Sequence, residues 1–155
     1  MRNMKLVSLV LCAVLMAGLL TGCSSRTPAT VKTFQMHMEA AGFTVEDVTA
    51  VTETNGLADA ILVAVGEDYQ IEFWDLVGTN AGQTVFRATR NSLSAEHPAK
   101  FMEVEITSNA YSYFAFNADG NFHVIARVED TMLLCEAEKE HKDEIVDILK
   151  QLGYK

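Results

Sequence analysis

Residues Ala110–Ala137 read AYSYFAFNADGNFHVIARVEDTMLLCEA, and this stretch decides the fold. Three runs rich in aromatic, β-branched and other apolar residues, Ala110–Asn117, Phe122–Val128 and Thr131–Ala137, are divided by two polar pairs. Asp119-Gly120 is the sort of pair that accepts the backbone of a tight two-residue hairpin turn. Glu129-Asp130 divides the next two runs in the same way. Strands joined by links this short must pair antiparallel.

Upstream, Phe43–Val51, Ala58–Val65 and Gln70–Val77 also read as strands, with Gly66-Glu67-Asp68 as the second link. Elsewhere the apolar period lengthens to that of a helix. Val31, Phe34, Met38 and Ala41 share one face of a helix over Val31–Ala41, ended by Gly42. Ile145, Ile148, Leu149 and Leu152 make a second stripe, ended by Gly153. Glu138 and Glu140 stand at its start and Lys150 near its end, as the helix dipole favours. A third helix is expected over Ala81–Ser94, with Asn80 and Gln83 as a capping box and Val85, Phe86, Thr89 and Leu93 facing inward. The expectation is an α+β fold of one largely antiparallel sheet, about six strands and three helices, ordered α-βββ-α-βββ-α.

The N-terminus has a different character. Arg2 and Lys5 precede an uncharged apolar run, Leu6–Leu20, and small residues close it. That order is the layout of a secretory signal, and about 15 apolar residues fall short of the ~20 needed to span a bilayer as a helix. Leu20-Thr21-Gly22-Cys23 resembles the lipobox of bacterial lipoproteins. The resemblance implies lipid attached to Cys23, cleavage between Gly22 and Cys23, and a protein held by its acyl chains on the extracytoplasmic face of the cell membrane. Ser24 stands where an inner-membrane retention Asp is found in two-membrane lipoproteins, which by the same resemblance permits outer-membrane sorting. The chain then divides into a signal peptide (1–22), a lipidated cysteine with a short polar tether (23–30) and one α+β domain (31–155).

Charge narrows the partners. The full chain carries a formal −9, and loss of Arg2 and Lys5 with the signal makes the remainder −11. Such a surface repels nucleic acid and anionic headgroups, so contact with the membrane falls to the lipid. Cys12 leaves with the signal, and Cys135 is then the one thiol besides Cys23, which precludes an internal disulfide.

No catalytic residue stands out. Cys135 has apolar neighbours on one side and Glu136 on the other, which disfavours a thiolate and reads as a buried structural thiol. His37, His97, His123 and His141 are dispersed without metal-ligand spacing, so neither a metal nor a cofactor is expected. His141, on the apolar face of the last helix, is expected to be partly buried. Asn117–Asn121 is like the start of a calcium loop but lacks its closing Glu. The acids from Glu136 to Glu144 are interleaved with Lys139 and Lys142 as on a solvated helix face. Trp74, Tyr111 and Tyr113 are the candidate ligand-binding residues: on a shared exposed face they would suit a glycan or peptide, and otherwise they belong to the core. Three readings follow. The first is a non-enzymatic module binding an envelope protein, peptide or glycan. The second is a small enzyme with dispersed acids, His97, His123 or Tyr111 in its site. The third is an accessory subunit of a membrane complex.

Overall fold

The computed structural model describes residues 26–155. The signal segment, the lipobox and Cys23 lie outside the described residues. The elements are α1 (Val31–Ala40), β1 (Thr44–Asp47), a 3-10 turn (Thr49–Val51), β2 (Ala58–Val65), β3 (Gln70–Leu76) and α2 (Thr79–Glu96). They continue with β4 (Phe101–Thr107), β5 (Tyr111–Ala118), β6 (Asn121–Val128), β7 (Thr131–Glu138), a second 3-10 turn (Lys139–His141) and α3 (Lys142–Gln151).

Seven strands form one antiparallel sheet in the order β1-β2-β3-β7-β6-β5-β4. Two meanders make it. The first runs β1 to β3; α2 then carries the chain to the far edge, and the second meander returns from β4 until β7 pairs with β3, Ile71 opposite Cys135. The α+β class and the antiparallel pairing agree with the sequence reading. The strand count and order do not: β4 is an additional strand, and the second half is ββββ. Its seven residues are all exposed, although Met102, Val104 and Ile106 alternate with Glu103, Glu105 and Thr107 at the period of a strand. The strand expected over Phe43–Val51 is also shorter, because Asp47 Oδ1 accepts from Thr49 N and turns the chain into the 3-10 segment.

Helices cover both faces. On one, Phe34 and Met38 of α1 and Ile145, Ile148 and Leu149 of α3 pack with Leu62, Ile71, Phe73, Tyr113, Val124 and Leu133. On the other, Phe86 of α2 packs with Leu76, Phe114, Phe116, Ile125 and Met132. This double cover explains the aromatic run of β5, where seven consecutive residues, Ser112–Ala118, are buried.

The turns follow local chemistry. Asp119 (φ 52°) and Gly120 (φ 89°) occupy the two central positions of the β5–β6 hairpin, the paired positive φ values of a type I′ turn. Thr30 caps α1, its hydroxyl accepting from Thr33 N at 3.1 Å. At α2 the expected capping box is absent: Gly78 holds the N-cap position without a side-chain bond, and Gln83 instead donates to Asn109 O at 3.1 Å. Glu138 belongs to β7, so the acids before Lys142 are not on the last helix. The residues read as tether are also partly packed, with Ala29 buried in the α1/α3 core.

Gly82 sets how closely α2 lies on the sheet. A Cβ there would meet Glu129 O at 2.8 Å and Arg127 Cδ at 3.3 Å. Alanine usually gains about 1 kcal/mol over glycine inside a helix, but a contact under 3 Å with backbone forces the helix off the β6–β7 turn. Overpacking of this kind costs about 1–3 kcal/mol. Gly82→Ala is therefore expected to lower the thermal midpoint, and a midpoint raised above the wild type's would refute the tight docking.

Candidate functional site

A cleft of about 460 Å³ lies between α2 and the β4–β5 hairpin. From α2 come Gln83, Phe86, Arg87, Arg90 and Asn91; from β4 and the hairpin come Glu105, Thr107, Ser108, Asn109 and Ser112. Arg87 and Arg90 are three apart on one helix, which puts them on a common face. Arg90 Nη2 donates to Glu105 Oε2 at 2.7 Å, and its guanidinium lies over the Phe114 ring at 5.3 Å. The bond to Glu105 raises the Arg90 pKa above the ordinary value, against a smaller opposing effect of burial. Arg87 is exposed and makes no ion pair among the described residues.

Arg127 fixes the far wall from beneath. It is fully buried in β6. Nη1 donates to Glu129 O at 2.7 Å, and Nη2 to Ser108 O at 2.9 Å, Asn109 O at 3.1 Å and Ser112 Oγ at 3.1 Å. One planar guanidinium thus ties the β4–β5 turn to the β6–β7 turn. Burial lowers its pKa from the ordinary value, and Glu129 offsets part of that.

A second, smaller cavity of about 190 Å³ is lined by Gln70, Glu72, Leu93, His123, Leu134, Cys135 and Glu136. His123 is 1 % exposed, and neither ring nitrogen has a hydrogen-bond partner. Its ring stacks on Phe116 at 4.7 Å and meets the His97 ring at 4.4 Å. Glu136 Oε2 lies 3.6 Å from Nδ1, and His97 Nδ1 is 3.2 Å from Asp119 Oδ2. Burial lowers the His123 pKa below the usual histidine value, with Glu136 opposing and His97 adding to the effect. Among the described residues no three His, Cys, Asp or Glu side chains form a group able to hold a metal ion.

His123 carries a pH dependence whose sign follows directly. Its folded pKa is below the unfolded value of about 6.5, so the unfolded chain binds the proton first. Stability from this site is complete above that value and is lost as pH falls through it. Denaturation midpoints are expected to drop between pH 7.5 and 5.5, and His123→Phe to flatten that slope. An unchanged slope in the variant would assign the acid sensitivity to other groups.

The sequence candidates are not gathered into one site. Trp74 is half-buried on the α2 face, its Nε1 donating to Glu72 Oε2 at 3.1 Å. Tyr111 and Tyr113 belong to the opposite face. Tyr111 donates its hydroxyl to Tyr154 O at 3.0 Å. Tyr113 is 2 % exposed, with burial pushing its pKa up to about 12. Cys135 is buried, and burial, then Glu136 and Glu72, push its thiol up to about 12. His141 is half-buried against the Tyr69 ring at 5.3 Å. Asn117–Asn121 is the β5–β6 turn.

Sequence reasoning passed over Arg87, Arg90, Glu105 and Arg127. The available signal was compositional: three of the five arginines in an acidic chain fall between residues 87 and 127. Among the described residues no helix is long and apolar enough to cross a membrane. No protein family, curated protein or solved structure matches this chain at a significant level.

Proposed function

We propose that the protein is a lipid-anchored extracytoplasmic binding module, with the α2–β4 cleft as its binding site. The observation that carries this reading is the form of β4. It is an edge strand, every residue of it is exposed, and it forms one wall of the cleft. Glu105 and Thr107 are the β4 residues that line the cleft, whereas the exposed Val104 and Ile106, opposite Ala115 and Tyr113, lie on the α1/α3 face and make the strand sticky outside it. A free edge offers backbone donors and acceptors to an extended partner. The irregular register between Phe101 and Val104 and the charges of Glu103 and Glu105 discourage indiscriminate strand pairing. Lipid on Cys23 supplies the address, as the lipobox resemblance implies.

The second cavity supports a hydrolytic reading less well. It brings His123 together with Glu72 and Glu136, but a side chain 1 % exposed offers no ring nitrogen to a substrate.

Two measurements test the proposal. The Cys23→Ser protein is expected to move from the membrane fraction to the soluble extracytoplasmic fraction, and continued membrane retention would remove the anchor from the account. A photo-cross-linker placed at Thr107 in cells is expected to capture a discrete partner or envelope polymer, whereas one at the exposed Met36, on α1, is not. Equal capture from both positions would count against the cleft.

A further inference from the structure

We infer that the α2–β4 cleft recognises its ligand through a single carboxylate held by Arg87, beside the Arg90–Glu105 pair. This rests on the reading of the cleft as the binding site and adds the chemistry of what enters it. The protein is acidic, with a formal charge of −9, so an anion is repelled from most of its surface. The cleft is the local exception. Its lining holds Arg87 and Arg90 against one carboxylate, Glu105, and the buried Arg127 beneath is offset by nearby Glu129.

The charge count decides the ligand class. Glu105 already occupies Arg90, whereas Arg87 has no ion-pair partner among the described residues. The lining therefore lacks one negative charge, which a carboxylate supplies and a phosphate dianion exceeds. A guanidinium is a planar fork matched to a carboxylate. The rest of the ligand meets neutral lining residues, among them Asn91, Asn109 and Thr107. A volume of about 460 Å³ is that of a small-molecule site. Two sources share this chemistry, the C-terminal carboxylate of a peptide and an acidic sugar.

The test uses the full chain in neutral detergent, titrated calorimetrically. The probes are N-acetyl-alanyl-alanine, its C-terminal amide, galacturonate, galactose and inorganic phosphate. At least one acid is expected to bind, with its uncharged counterpart about tenfold weaker or worse. Binding of the peptide acid alone names a peptide C-terminus, binding of galacturonate alone names an acidic sugar, and both binding means that the carboxylate itself is read. Arg87→Gln is expected to weaken the acid about tenfold; the exposed, unpaired side chain makes that change safe for folding. Glu105→Gln should tighten it several-fold by freeing Arg90, a gain that misfolding cannot imitate.

Phosphate binding more tightly than either acid would overturn the charge count. Equal binding of acid and uncharged probes would overturn the carboxylate while leaving the cleft as a site. Failure of every probe would also overturn the ligand class, and cross-linking from Thr107 would still report separately on the cleft.

Discussion

Arg127→Ala is expected to lower the unfolding free energy by about 3–5 kcal/mol, near the upper end for single substitutions. Two effects oppose each other. Burying a guanidinium is costly, and among the described residues no carboxylate pairs directly with Arg127, Glu129 acting on it from farther away, so removing the charge recovers desolvation energy. Against that, truncation removes the guanidinium donors from three backbone carbonyls, those of Ser108, Asn109 and Glu129, and from the Ser112 hydroxyl. It also leaves a void where a fully buried side chain stood. Hydrogen bonds from a charged donor contribute about 1.5–3 kcal/mol each, and with four acceptors the loss wins.

Two companion substitutions separate the causes. Arg127→Met keeps the aliphatic stem without the donors and should lie between alanine and the wild type. Arg127→Lys keeps the charge, but an ammonium cannot span two turns as a planar fork does, so it too should be destabilised. The measurement is chemical denaturation followed by Trp74, the one tryptophan of the chain. A lysine variant as stable as the wild type would show that charge, not the fork, matters here.

Phe73→Ala is expected to cost about 3–5 kcal/mol through loss of buried surface and the cavity it leaves. Phe73 is fully buried on β3, opposite Leu62 on one neighbouring strand and Leu133 on the other. Its ring stacks on Phe34 of α1 at 4.9 Å and 18°. An aromatic pair contributes about 0.5–1.5 kcal/mol beyond area. The Phe34→Ala, Phe73→Ala double variant should therefore lose less than the sum of the single losses, since the pair is broken only once. Additive losses would mean that α1 is held by area alone.

These two sites also mark what the sequence discloses. Phe73 was legible: it lies in an alternating apolar run, and the run became a strand. The hairpin at Asp119-Gly120 and the α3 stripe were legible for the same reason, because local chemistry and the final fold agree there. Arg127 and His123 were not. Along a strand with one wet face, polar residues alternate outward, but α2 covers the second face of β5 and β6, so Ser112, Asn117, His123 and Arg127 are buried with the rest. Nothing within β6 announces that cover. β4 did carry a strand signal, Met102, Val104 and Ile106 alternating with Glu103, Glu105 and Thr107, and it was passed over. The cleft joins α2 to a hairpin that begins after it in the chain, and only packing brings the two together.

The chain enters the described fold at Arg26, whose guanidinium lies over the Tyr111 ring at 4.1 Å and contacts Gly153 O at 3.4 Å. That entry belongs to the α1/α3 face of the sheet, beside the start of β5, whereas the arginine cleft opens on the α2 face. Arg26 is three residue steps beyond Cys23, a span of at most about 11 Å when fully extended. With lipid at Cys23, so short a leash gives the molecule a back and a front. If Cys23 carries lipid as proposed, the sheet would stand as a partition, acyl chains tied to one side and the guanidinium groups offered to the other, and the proposed ligand would arrive from the surrounding medium and not out of the bilayer.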